Sequence, residues 1–316
     1  MSINVFLSSE LPEEKGNILS IISFCNKVDY KDRVLSSGLI SENKSKKYEI
    51  WQTDEKVTQS YYESINIVKN NHLLFGSVIF ENNKSYDKLS EQIQKSYADF
   101  FKIANENEMQ IVKIWHYIPE LLKTYDHKKT NYSLLCESRE IIYKKYYQDQ
   151  CYPAATVIGI EGKKILIYFI AAKCDIYQTI ENKRQVSSYD YPQNIFLEKP
   201  MFSRAIKFST KSFKYNKLII SGTASIRGYE SMHSEDISKQ LEESLKNYKT
   251  FLDIDDNASN ICRIYMSKKE KDNFNLINSK LENCLGNNKF ILLYGDICRT
   301  ELLVEIEGIS DVKDAI

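Results

Sequence analysis

The sequence predicts an α+β fold made of two tandem copies of one unit, each a mixed sheet with two helices on one face. Two observations lead there. The order strand, helix, strand, helix, strand, strand is legible twice, once between residues 73 and 172 and again between 218 and 307. The first strand of each run also passes the same landmark, Phe75-Gly76-Ser77 in one and Ser221-Gly222-Thr223 in the other. A recurring order with a recurring landmark reads as internal duplication. The expected division is 1–182 and 183–316, joined through the loop-like stretch 183–200.

Residues 1–70 carry the least pattern, with short strands expected at Asn4–Leu7 and Tyr48–Gln52 between connections rich in lysine and serine. From Leu73 to Phe80 an apolar run of β-formers predicts a strand, and Leu89, Ile93, Tyr97 and Phe101 share one face of a helix over Tyr86–Glu106. A strand follows at Gln110–Tyr117 and ends at Pro119, which has no N–H for a ladder. Tyr132–Tyr147 predicts a second helix with Leu135, Ile142, Tyr143 and Tyr146 as its apolar positions, before strands at Ala154–Ile160 and Ile165–Ala172. In the second copy, the strand Leu218–Gly222 runs into the small-residue segment Ser221–Ser225, where a backbone can approach a ligand closely. Ser234 or Asp236 caps the next helix, Asp236–Leu252, along which Ile237, Leu241, Leu245, Tyr248 and Leu252 recur at three- and four-residue spacing. Strand Cys262–Met266, helix Glu270–Leu285 and strands Phe290–Tyr294 and Leu302–Glu307 complete the run.

Composition excludes several classes of function. With 43 basic and 43 acidic side chains in 316 residues there is no net field to draw in nucleic acid or an anionic membrane. The longest strongly apolar run, Ile165–Ala172, falls far short of the roughly 20 residues a membrane helix needs. Glu10, Glu13 and Glu14 stand where an export signal would be basic and then apolar, so a cytoplasmic protein is expected. Seven scattered cysteines with no Cys-x-x-Cys spacing read as reduced thiols. The histidines at 72, 116, 127 and 233 have no paired spacing, so no metal is expected, and no glycine-rich loop points to a phosphate cofactor.

Several strings resemble one family, the chorismatases, which remove pyruvate from chorismate. They are Glu181-Asn-Lys-Arg-Gln-Val-Ser-Ser-Tyr-Asp-Tyr-Pro192, Ser221-Gly-Thr-Ala-Ser-Ile-Arg-Gly-Tyr-Glu-Ser231 and Asp296-Ile-Cys-Arg-Thr-Glu-Leu-Leu-Val-Glu-Ile-Glu-Gly308, together with Pro153-Ala-Ala-Thr156, Tyr168-Phe169 and Phe202-Ser-Arg-Ala205. The resemblance covers about 110–308 and leaves 1–70 out. The C-terminal half is also similar to the small deaminases of the YjgF/RidA type, with their chorismate-mutase-like topology. The resemblance therefore implies two tandem YjgF/RidA-like units that rebuild such an assembly within one chain, with a monomer expected and an oligomer as the alternative.

Chorismate is a dianion with an enol ether. Its cleavage needs cations for two carboxylates and an acid able to protonate the terminal methylene, with the acid kept neutral by a poorly solvated pocket. Glu305 sits in the apolar strand Leu302–Glu307, where an idle charge would be costly; Glu307, on the same strand face, is its rival. The family motif selects Glu305 as proton donor. The counterpart near Phe169 in the first copy is not acidic, so one site is expected. Arg204 and Arg139 are the arginines expected to hold the carboxylates, ahead of Arg184 and Arg299. Tyr191 is preferred to Tyr189 as a substrate hydrogen-bonding group, and Ala224 belongs to the binding loop. Cys298 has no histidine to activate it and is not expected to act as a nucleophile. In the family, a cysteine there together with glycine at the position of Gly222 implies 3-hydroxybenzoate as product, with Gly222 expected to leave space beside the ring. The alternatives are hydrolysis to a dihydroxycyclohexadiene carboxylate, formation of 4-hydroxybenzoate, imine or enamine deamination, and a non-catalytic ligand-binding module.

Overall fold

A computed structural model describes residues 3–43, 45–82, 85–124, 129–147, 149–192, 198–210, 213–252, 260–287 and 289–312. Two sheets carry the duplication, and their strand orders match. In the first, strands run Ala154–Ile160, Gln110–Pro119, Lys164–Ala172, Leu73–Glu81, Ile65–Lys69 and Thr58–Tyr62. In the second the corresponding order is Phe290–Tyr294, Asn260–Met266, Val304–Val312, Asn216–Ala224, Ala205–Ser209 and Ile176–Ile180. Each sheet has one parallel pair at the same place, Gln110–Pro119 with Ala154–Ile160 and Asn260–Met266 with Phe290–Tyr294.

The repeat is thus larger than its sequence pattern. Each copy opens with an additional pair of strands, Thr58–Tyr62 with Ile65–Lys69 and Ile176–Ile180 with Ala205–Ser209. Because Ile176–Ile180 already hydrogen-bonds within the second sheet, the chain crosses between sheets near 173–175, earlier than the expected division at 182/183. The stretch 183–200, expected as the join, follows the first strand of the second copy in sequence. It lies inside a long insertion between the first two strands of the second copy, where the first copy has only Glu63 and Ser64.

Two helices cover one face of each sheet. Helix α1 (Tyr86–Glu106) buries the predicted Leu89, Ile93, Tyr97 and Phe101, and α2 (Asn131–Tyr146) buries Leu135, Ile142 and Tyr143 but leaves Tyr146 exposed. The Asp236 side chain caps α3 (Ile237–Lys249) by accepting from the Lys239 amide at 3.0 Å. Helix α4 (Phe274–Leu285) starts later than predicted, because Lys268–Asn273 takes a tighter three-residue turn first. The faces turned away from the helices meet in one shared core, which holds Tyr117, Tyr168 and Ile170 from the first sheet with Ile219, Tyr265 and Ile309 from the second.

Five strands between Ile3 and Thr53 form a third sheet, ordered Ile3–Ser8, Tyr48–Thr53, Ile18–Ser23, Val34–Ser37 and Val28–Lys31, while Ile40–Ser41 adds a seventh strand to the second sheet beside Phe290–Tyr294. The third sheet covers the open side of the shared core with Leu19, Ile22 and Trp51, the last edge-on to Trp115 at 6.0 Å. Its pattern is hard to see in sequence because two of its five strands are only four residues long.

Candidate active site

The strand Val304–Val312 turns Glu305 and Glu307 toward the interior and Val304 and Ile306 toward the helices. Alternation makes this unavoidable once one apolar set is buried. Opposite it, the pairing of Asn216–Ala224 slips between Ile220 and Thr223, so that Ser221 and Gly222 together face Glu307, a β-bulge. The bulge brings Gly222 against Glu305: a Cβ at Gly222 would overlap the Glu305 carboxylate. The space expected beside a substrate ring is therefore occupied by the acid itself.

The two glutamates have opposite surroundings. Glu307 is fully engaged, accepting from Lys113, from Trp115 Nε1 at 2.9 Å, from Thr156 Oγ1 at 2.5 Å and from Tyr265, with Arg263 at 3.3 Å. Burial alone would raise its pKa, but Lys113 and Arg263 more than offset it and hold the group below the usual carboxylate range. Glu305 has no hydrogen-bond partner among the described residues and is 5% exposed. Burial, reinforced by the charge of Glu307 and opposed by Lys113 and Arg204, pushes its pKa up to about 8. Glu305 is a neutral acid at neutral pH and Glu307 its charged neighbour.

Glu305 lies at the wall of a cavity of about 280 Å³ between the two units. Arg139, Tyr191, Arg204, Gly222, Ala224 and Cys298 line it with Glu305, as do Tyr132, Thr156, Phe202 and Arg299. Arg139 reaches it from α2, fully buried, donating to the Pro200 carbonyl while Nε and Nη1 have no partner among the described residues. Arg204 donates to the Tyr191 hydroxyl at 2.7 Å and the Val186 carbonyl at 3.0 Å, and its Nε has no partner among the described residues. Neither forms an ion pair among the described residues. Buried guanidiniums with open donors are the groups that grip carboxylates in two places.

The insertion of the second copy builds one side of this cavity. It supplies Tyr191, Glu198, Pro200 and Phe202, and the Phe202 ring lies 5.1 Å from the Arg204 guanidinium. Cys298 faces the cavity as a thiol, its pKa pushed up to about 12 by burial and then by Glu305.

Three expectations take a different place in the structure. Tyr189 does not line the cavity; it packs edge-on against Tyr152 at 5.5 Å. Ser188–Asp190 form a tight three-residue turn that ends before Tyr191, so Tyr189 and Tyr191 do not share a face by strand alternation. Arg184 pairs with Glu243 on α3 and lies outside the cavity. Phe169, near which the counterpart of Glu305 was expected, itself faces the helices and packs on Phe100 at 4.5 Å. The inward positions of that strand are Leu166, Tyr168 and Ile170, none acidic. Of the histidines, His116 is buried between the Tyr97 hydroxyl at 2.6 Å and the Thr156 carbonyl at 2.9 Å, while His127 lies outside the described residues.

Sequence reasoning missed Thr156, Lys113 and Arg263. The signal was the one that exposed Glu305, a lone charge inside an apolar strand run, as in Ile111-Val-Lys-Ile-Trp115 and Ile261-Cys-Arg-Ile-Tyr265. Thr156 accepts from the Gly222 amide at 3.0 Å while donating to Glu307, and so fixes the bulge.

Residues 49–171 match the family described as chorismatase FkbO/Hyg5-like, N-terminal, a match that begins inside the stretch where no motif was legible. A 3-hydroxybenzoate synthase of Streptomyces hygroscopicus is 23% identical over 95% of this chain and 93% of its own. A chorismatase of Streptomyces rapamycinicus is 30% identical over 50% of each chain. The crystal structure of a chorismatase superposes with a TM-score of 0.85 at 22% identity, over 98% of both chains. No helix among the described residues is long and apolar enough to cross a membrane.

Proposed function

We propose that this chain, chorismatase-like in fold along its whole length, removes pyruvate from chorismate and leaves 3-hydroxybenzoate. The observation that carries the reading is Glu305, a buried carboxyl that keeps its proton at neutral pH beside two buried arginines that form no ion pair among the described residues. Chorismate supplies what such a cavity lacks, two carboxylates and a basic enol-ether carbon. Arg139 and Arg204 take the carboxylates, with Tyr191 steadying Arg204. Glu305 gives its proton to the terminal methylene, which turns the enolpyruvyl group into a good leaving group. The ring's own 4-hydroxyl oxygen bonds to the carbon carrying that group as its carbon–oxygen bond breaks. Pyruvate departs with the ether oxygen as its ketone, the hydroxyl proton returns to Glu305, and the arene oxide opens to the phenol. The sum consumes no water.

Both units of one chain wall the cavity, which supports a monomer as the working form. Seven free cysteines fit a reducing cytoplasm. The test is purified protein with chorismate in isotopically labelled water, with pyruvate assayed and the ring product separated by chromatography. Unlabelled 3-hydroxybenzoate, equal in amount to pyruvate, is expected. A labelled dihydroxy diene acid, 4-hydroxybenzoate, or no pyruvate at all would defeat the assignment.

A further inference from the structure

The N-terminal sheet sends one charge into the interior. Glu49 is 3% exposed and accepts from the Trp51 indole at 2.6 Å and from Arg263, Nε donating to one oxygen at 2.7 Å and Nη2 to the other. Arg263 Nη1 then donates to the Tyr117 hydroxyl at 2.8 Å and the Tyr168 hydroxyl at 2.5 Å, and lies 3.3 Å from Glu307. Lys113 closes the row beyond Glu307 and also donates to the Ile220 carbonyl at 2.6 Å. The four charges, negative on Glu49 and Glu307 and positive on Arg263 and Lys113, cancel. Glu305 is the next carboxyl along, and ionising it would add an unbalanced charge to a balanced array away from water.

We propose that Glu49, which does not line the cavity, is a positioning residue for the reaction: by balancing Arg263 it leaves the array neutral and keeps Glu305 the acid that retains its proton. This rests on the reading of Glu305 as proton donor. Without Glu49 the array carries one excess positive charge, and Glu305 is the carboxyl that answers it. The other titratable groups around the cavity with Glu305 are Arg204, Arg139, Arg299, Glu198, the Tyr132 and Tyr191 hydroxyls and the Cys298 thiol. Glu49 hydrogen-bonds to Arg263 and Trp51 alone among the described residues, so its replacement by glutamine leaves those groups in place.

The variants are Glu49→Gln, Arg263→Gln and the pair. In each, and in wild type, the protonated-carboxyl stretch of Glu305 is followed against pH by infrared spectroscopy and identified by its loss when Glu305→Gln is added. This reports the proton whether or not chorismate is turned over. Glu49→Gln is expected to lower the pH at which the band disappears by about one unit, a tenfold change in proton affinity; Arg263→Gln is expected to raise it by a similar amount, and the pair to restore it. The basic limb of kcat/KM for chorismate moves in step. An unchanged band in either single variant, or shifts of the same sign in both, overturns the proposal, as does a uniform fall in kcat with an unmoved pH profile. If one single variant does not fold, the sign of the other decides. Bands that move as expected in a protein without chorismate turnover would sink the proposed reaction and leave the role of Glu49 standing.

Discussion

At the residue scale, two glutamates one position apart on a strand face differ because only one has cations in contact with it. Glu305→Gln keeps the shape and removes the transferable proton, so kcat is expected to fall by roughly 10²-fold or more with the thermal transition preserved, measured by steady-state turnover beside calorimetry. An unchanged kcat, with the loss appearing in Glu307→Gln instead, would reverse the assignment. The sign of the pH dependence follows from the acid form being the active one. Below a pKa of about 8 Glu305 holds its proton, so kcat/KM is expected to decline as pH rises through that value. Stability follows the same proton. The folded pKa stands above the ordinary glutamate value of 4.5, so the native state binds more protons than the unfolded between those limits and loses stability as pH rises through them, a slope that Glu305→Gln should remove. Gly222→Ala places a methyl where the Glu305 carboxylate lies, and the expected result is loss of kcat through a displaced acid. A switch of product at undiminished rate would show that the carboxylate is not held there.

At the element scale, the bulge at Ser221–Gly222 joins the two units. The Ser221 hydroxyl donates to the Ser203 carbonyl at 2.6 Å and accepts from the Ala155 amide at 2.9 Å, tying the insertion and the edge of the first sheet to the second sheet. Ser221→Ala leaves a buried amide and carbonyl without that partner, and a destabilisation of about 1–3 kcal/mol is expected in urea unfolding. An unchanged midpoint would show that the two sheets are held by apolar contact alone. Much at this scale was legible: α1 begins and ends where Leu89, Ile93, Tyr97 and Phe101 placed it, and α3 follows its Asp236 cap. The strand pair Ile176–Ile180 with Ala205–Ser209 was not, because a long insertion separates partners that are adjacent in space.

At the scale of the whole molecule, two repeats leave one side of their shared core open, and the N-terminal sheet covers it. Trp51 and Glu49 come from the same short strand, one filling the aromatic cluster around Trp115 and the other neutralising Arg263. Removal of residues 1–53 would expose that cluster and strand a buried guanidinium, a defect worth about 3–5 kcal/mol for the charge alone. The truncated chain is expected to be insoluble or unfolded by circular dichroism and size-exclusion chromatography. A soluble, active truncated protein would mean that the sheet is a separate appendage.

Local chemistry was enough to read the duplication, the helices and a glutamate out of place in an apolar strand, because periodicity and the cost of a buried charge act within a few residues. Glu305 came into view in the same way, whereas Arg204, Tyr191, Gly222 and Cys298 were singled out through the resemblance to the chorismatases, in each case without their geometry. Which of Glu305 and Glu307 keeps its proton depended on Lys113 and Arg263, far off in the chain but in contact with one carboxylate and not the other. Tyr189 left the site, and Thr156 and Glu49 joined its surroundings, for a similar reason. A turn, a bulge and a third sheet decide where side chains point, and those are settled by packing between segments that no local pattern connects.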